Sequence, residues 1–184
     1  MGAWTVSHQS LSLCSLRGHQ CDMQSTQHSW TVELSLDGLY CPLDREGTGE
    51  DPYLAGEWAY QYVKGLQEGE DPTIRKLLAV CKHFVAYDLE SWGPSQDGCK
   101  PGDSCWRERG DFNAVIPRDQ ISSYYLPAFR RCIRDANAGG VMCSFNAVNG
   151  VPSCANPLYL NKTLRSEFNF SGFVVTDCTT LRFF

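Results

Sequence analysis

The sequence predicts an α/β fold built on parallel strands, and two observations carry that prediction. Three short apolar runs alternate with segments of helical periodicity, and a parallel strand needs a covering crossover of this kind before the next can form. Each run also stops on polar residues: the first on Lys82-His83, the second on Ser144 and Asn146, the third on Asp177. In a parallel α/β fold the carboxyl ends of neighbouring strands share one face, and chemistry is built there. A lysine, a histidine, an asparagine and an aspartate are therefore expected to converge on one pocket.

The elements follow in chain order. Residues 1–48 are polar, rich in Ser and Gln, and keep neither strand nor helix period, so little structure is expected of them. From Glu50, "EDPYLAGEWAYQYVKGLQ" opens with acidic residues and a proline, which suits the first turn of a helix. It carries Leu54, Trp58, Tyr62 and Leu66 at helical spacing, with Gly65 and Gly69 near its end. In "KLLAVCKHFVAYDLE", the core from Leu77 to Val85 reads as a short buried strand. The following "GPSQDGCKPGDSCWRERG" is a surface loop in which Cys99 and Cys105 are positioned to close a small disulfide. "PRDQISSYYLPAFRRCIRDANAGG" is a helix interrupted or kinked at Pro127 and ended by Gly139-Gly140. "GVMCSFN" is the second strand. "NPLYLNKTLRSEFNF" is a helix capped by Asn156 with Pro157 at its first position, and "GFVVTD" is the third strand.

Composition narrows the function. The chain has 184 residues, 42% hydrophobic and 20% charged, enough for one domain with its own core and too apolar for global disorder. A net charge of -5 argues against a nucleic-acid partner, which needs a basic surface. No run is long enough to span a bilayer, so no membrane association is expected. Ten cysteines and two sequons, Asn161-Lys-Thr163 and Asn169-Phe-Ser171, fit an extracellular, secreted lineage. The start "MGAWTVSHQSLSLCSLRG" lacks the basic and apolar stretches of a signal peptide, and Val6 breaks the lipidation pattern. With no C-x-x-C pair and four scattered histidines, no metal site is expected.

Taken alone, the polar residues admit ordinary readings. Asp177 would be a turn or helix cap, Lys82 a solvated lysine and His83 a hydrogen-bonded structural histidine. Arg109 sits in a charged loop with Arg107, Glu108 and Asp111. Asn146 and Asn149 read as ties for the loop after the second strand, Glu50 and Asp51 as first-turn residues, and the cysteines as structural. Nothing marks Glu90 as an acid catalyst.

The stretches "GEDPYLAGEWAYQYVKGLQ", "CKHFVAYDLE", "DFNAVIPRDQISSYYLPAFRRCI", "GGVMCSFNAVNGVPSCANPLYLNKTLR" and "FSGFVVTDC" resemble glycoside hydrolase family 3, closest to its β-xylosidase and α-L-arabinofuranosidase branch. The resemblance runs from Gly49 to Cys178 and implies an incomplete (β/α)8-type, TIM-like barrel over residues 49–184. It implies a retaining β-glycosidase acting on β-linked xylose, arabinose or glucose glycans, with Asp177 as catalytic nucleophile. Lys82 and His83 match the pair that binds sugar hydroxyls, and Arg109 matches a substrate-contacting arginine. No cofactor is implied.

The chain also departs from the family pattern. Phe145 stands where a tyrosine is usual. "WTVELSLDGLYCPLDREGT" does not align with the segment whose aspartate and arginine grip the sugar, leaving Arg45 as a weak stand-in. Phe184 comes seven residues after Asp177, ahead of the second domain that supplies the acid/base glutamate in this family. The expectation is a fragment, and the alternative function is a catalytically inactive remnant or a non-catalytic sugar-binding module.

Overall fold

The computed structural model describes residues 29–33, 49–89, 91–94, 97–100, 105–178 and 180, with only the backbone course given for 29–33, 91–94 and 106–108. In chain order the elements are β1 (Ser29–Glu33), α1 (Pro52–Gln67), β2 (Leu78–Phe84), β3 (Ser91–Pro94), β4 (Trp106–Glu108), β5 (Asn113–Ala114), α2 (residues 118–135), β6 (Gly140–Cys143), β7 (Ala147–Val148), β8 (Val151–Pro152), α3 (Leu158–Glu167) and β9 (Phe173–Thr176). The main sheet has the order β1-β2-β6-β9, every pair parallel. Spatial order follows chain order without the reversal that marks a doubly wound sheet. The result is an incomplete α/β barrel, with one helix in each crossover.

β1 corrects the reading of residues 1–48 where it falls. Trp30, Thr31 and Val32 are good strand formers, but five residues are too few to show a period. Five successive register pairs, Ser29↔Leu78 to Glu33↔Lys82, supply the partner that the local sequence cannot reveal. The rest of 1–48 lies outside the described residues, Arg45 included, as does Glu90.

α1 begins as expected, with the Asp51 carboxylate accepting from the Tyr53 and Leu54 amides at 2.7 and 3.0 Å. Of the residues at helical spacing, Tyr62 and Leu66 pack against the core, but the most buried face of α1 lies beside them. Ala55, Ala59 and Val63 are fully buried, whereas Leu54 and Trp58 are 56% and 39% exposed. Small residues win because α1 packs close to α2: a Cβ on Gly56 would lie 3.2 Å from the Arg131 Cβ. Trp58 stacks instead on Tyr62 along the surface. Arg131 crosses the seam, pairing with Glu57 at 2.7 Å and lying 3.8 Å over the Tyr60 ring.

α2 runs through Pro127 without breaking. Wide i→i+5 turns at Ile121–Tyr125 and Arg131–Asp135 absorb the missing amide and the bulk of the ring. It stops at Asn137, whose φ of 57° is left-handed, and not at the Gly139-Gly140 pair. Those glycines serve strand packing instead: a Cβ would meet Leu78 at 2.7 Å from Gly139 and Phe173 at 2.5 Å from Gly140. α3 opens with Asn156 accepting from the Leu158 amide at 3.1 Å, as its sequence implies.

Phe84 centres the core, edge-on to Phe129 and Tyr159. Disulfides join Cys81 to Cys132, Cys143 to Cys154 and Cys99 to Cys105, the last in the loop where the sequence anticipated it. β7 and β8 form a hairpin whose two-residue turn, Asn149-Gly150, has φ of 50° and 82°, the type I′ arrangement that Asn-Gly favours. No described helix is long and apolar enough to cross a membrane.

At the amino ends of the strands, one buried side chain does the joining. Gln67 accepts from the Ala79 and Gly139 amides at 3.1 and 2.9 Å and donates to the Asn137 carbonyl at 2.8 Å. Gln67→Leu should therefore destabilise the fold by about 2–4 kcal/mol, since two buried amides lose their acceptor. Denaturant unfolding checks this, and a loss below about 0.5 kcal/mol would show that the junction does not depend on the amide.

Candidate active site

Pairing between β2 and β6 slips by one residue. Cys81 faces Val141 and Phe84 faces Cys143, so three steps on β2 span two on β6. The extra residue falls at Lys82-His83, and a bulge of this kind re-aims side chains that a regular pleat would send to opposite faces. The Lys82–His83 and Phe84–Val85 peptides are both cis.

His83 reaches across the mouth to Asp177, which follows β9 two strands away; its Nε2 lies 3.1 Å from the Asp177 Oδ2, and their side chains are 8% and 12% exposed. Between them β6 is followed by Ser144, a small, fully buried residue whose hydroxyl donates to the Val85 carbonyl. The other carboxylate oxygen of Asp177 accepts from the Cys178 amide at 2.6 Å, while its carbonyl accepts from the Thr180 hydroxyl at 2.9 Å. Both oxygens are thus held, one by backbone and one by imidazole.

Burial holds His83 below the ordinary imidazole range, against the hydrogen bond to Asp177, and the positive charges of Lys82 and Arg109 push the same way as burial. The neutral ring, with its proton on Nε2, is the form that donates to Asp177. All four residues singled out by sequence therefore come together: Asp177 bonded to His83, and Lys82 and Arg109 both within electrostatic reach of that imidazole.

Arg109 is not the free loop residue its neighbours suggest. Its guanidinium lies 5.1 Å over the Phe145 ring and 5.8 Å over that of Tyr87. Tyr87 in turn meets His83 edge-on, with centroids 4.9 Å apart. Sequence reasoning missed Tyr87; its signal was an aromatic with a polar tip four residues past His83, just beyond a strand end. Asp88 was missed too. It accepts from the Tyr125 hydroxyl at 2.5 Å, and burial raises it above the usual carboxylate range against that hydrogen bond.

The asparagines are scaffolding, as the sequence indicates. Ala86 adopts a left-handed φ of 60°, and the fully buried Asn146 donates to the carbonyls of Val85 and Ala86 at 3.3 and 2.9 Å. Asn149 pairs with both backbone groups of Ile116 at 2.9 Å, tying the hairpin to the entry of α2.

A carboxylate and an imidazole thus meet at the carboxyl ends of the parallel strands of an incomplete α/β barrel, with cations and aromatic faces around them. This chain belongs to glycosyl hydrolase family 3, matching the N-terminal domain of that family over residues 38–183. The match begins upstream of Gly49, within the segment whose sequence seemed not to align. A probable exo-1,4-beta-xylosidase, xlnD, of Aspergillus fumigatus is 45% identical over 137 residues. Those residues are 73% of this chain and 16% of that protein. Beta-xylosidase/alpha-L-arabinofuranosidase 2 of Medicago sativa is 40% identical over 139 residues, 74% of this chain and 16% of its own length. Among solved structures, the exo-beta-xylosidase XlnD bound to a xylobiose aziridine probe aligns with a TM-score of 0.65 at 40% identity, covering 75% of this chain and 17% of that one. Beta-glucosidase 3B of Thermotoga neapolitana aligns with a TM-score of 0.66 at 26% identity, covering 82% and 18%. The chain spans about one sixth of the length of the relatives it matches.

A lowered His83 fixes the sign of one pH effect. The unfolded chain takes up a proton near the ordinary value of 6.5 while the folded chain does not, so acidification below that point favours unfolding. Unfolding free energy should climb as pH rises from the folded value of His83 to 6.5 and then level off. His83→Asn should lack that climb, and equal pH slopes in both proteins would rule it out.

Proposed function

We propose that this chain forms the nucleophilic and sugar-binding part of a retaining β-glycosidase acting on β-linked xylose, arabinose or glucose glycans of plant cell walls. The observation that carries the reading is the 3.1 Å contact between His83 and Asp177 at the mouth of the strands. Asp177 attacks the anomeric carbon, the aglycone departs with a proton from a separate general acid, and water later cleaves the glycosyl ester. Fixing one carboxylate oxygen on the Cys178 amide leaves the oxygen beside His83 to form the new bond. When a sugar enters, the single Nε2–H of His83 turns from Asp177 to a hydroxyl next to the reacting carbon, Lys82 donates to another, and bonds that tighten as charge develops there lower the barrier. Arg109, over the Phe145 and Tyr87 rings, supplies a further donor at the mouth.

Names of the relatives support the substrate class: exo-1,4-beta-xylosidase, beta-xylosidase/alpha-L-arabinofuranosidase and beta-glucosidase. Disulfides and two sequons support a secretory, oxidising location. The second reading, an inactive remnant or a non-catalytic sugar-binding module, is favoured by Phe145, which packs in this mouth without a hydroxyl to offer the nucleophile.

A 2-deoxy-2-fluoro-β-xyloside with a dinitrophenolate leaving group tests the two, because this aglycone departs without a general acid. The catalytic reading expects a covalent mass gain that maps to Asp177 and disappears in Asp177→Asn. His83→Ala should slow labelling about 10–100-fold, the worth of one hydrogen bond to a charged centre. Phe145→Tyr should accelerate it. Absence of label from folded protein, in both wild type and Phe145→Tyr, would leave the non-catalytic reading standing.

A further inference from the structure

Opposite the mouth, at the amino ends of the strands, lies a cleft of about 200 Å³ lined by Arg75, Arg134, Asn137, Asn169 and Ser171. We propose that Asn169 is N-glycosylated and that the first N-acetylhexosamine of its glycan seats in this cleft. The inference rests on the secretory location proposed above and is independent of catalysis.

The sequon is exposed on a turn fixed at both sides. Phe168 and Phe170 are buried, and their amides close the end of α3 onto the Thr163 and Leu164 carbonyls. Arg165 clamps the same turn, donating to the carbonyls of Phe170 and Gly172 at 2.9 and 2.7 Å. Between the two anchored phenylalanines, Asn169 takes a left-handed φ of 53° and is exposed, as is Ser171. A sugar attached there begins at the rim of the cleft, so no flexible tether has to be ordered before it binds.

The lining suits a sugar. Guanidinium groups only donate, and the hydroxyls and acetamide carbonyl of a hexosamine accept. Asp135 holds the Arg134 Nε at 2.7 Å, which fixes one guanidinium at the rim. The volume falls below the roughly 300–1,000 Å³ of pockets for drug-sized ligands, a scale that matches one pyranose. Asn161 differs: it is exposed on α3, but its hydroxyl partner Thr163 is buried, and it does not line the cleft.

The chemistry balances as a group transfer from a lipid-pyrophosphate-linked oligosaccharide. The Asn169 amide nitrogen bonds to the anomeric carbon and gives up a proton, while the bond from that carbon to the pyrophosphate oxygen breaks and the lipid pyrophosphate leaves.

To test this, the full chain is placed behind a cleavable secretory leader and translated with microsomes. Supplying the leader separates failure of the modification from failure of the natural chain to be exported. The expected result is an endoglycosidase-sensitive mobility shift, with one step of it lost in Asn169→Gln and in Ser171→Ala. Import, read by protease protection, without a step that depends on Asn169 would overturn the modification. For the seat, amidase release of the Asn169 glycan from native protein should be about tenfold slower than from denatured protein, the effect of one modest contact. Arg134→Ala should keep the glycan and lose that protection. Equal native and denatured rates in the unaltered chain, or unchanged protection in Arg134→Ala, would overturn the seat.

Discussion

The mouth of this domain depends on one extra residue in β2. A regular strand would turn Lys82 and His83 to opposite faces of the sheet, and only one of them would meet Asp177. The slip between Cys81 and Phe84 brings an imidazole and an ammonium group to the same end of the barrel. Everything nearby then has to tolerate two adjacent polar side chains at the rim of an apolar core. Burial keeps His83 neutral, Asp177 gives its Nε2 proton an acceptor, and Ser144 on the intervening strand stays small enough for them to meet.

Such a site has to be held from behind, and the cysteines do so with unusual regularity. Cys81 directly precedes Lys82, Cys143 precedes Ser144 and Phe145, and Cys178 follows Asp177; all three are disulfide-bonded. Each strand that brings a residue to the mouth is thus fixed covalently next to that residue. The left-handed turn at Ala86 is held in another way, by Asn146 reaching two successive carbonyls from a position with no solvent access. At the far end of the strands Gln67 performs the corresponding task with a neutral amide.

Much of this was legible in the sequence because short-range physics governs it. Apolar runs of four to seven residues between helical segments gave β2, β6 and β9, and polar residues at their ends pointed to the mouth. What escaped depends on partners far along the chain. β1 is a strand because Leu78 to Lys82 pair with it, and nothing local announces that. The buried face of α1 follows from how near α2 can come, a matter of side-chain size, so Ala55 and Ala59 are buried while Leu54 and Trp58 are exposed. Tyr87 and Asp88 become site neighbours only once the chain turns at Ala86, and a left-handed alanine leaves no trace in composition.

The Cys81–Cys132 bond also governs what a break in the chain does to the molecule. It encloses both the Cys99–Cys105 disulfide and the β3–β4 hairpin, which forms a two-stranded sheet of its own. A protease that cuts anywhere between those two cysteines opens the chain without releasing a piece. The severed halves stay tethered beside Lys82. Such wear would then accumulate as nicks, hidden until the molecule meets a reductant.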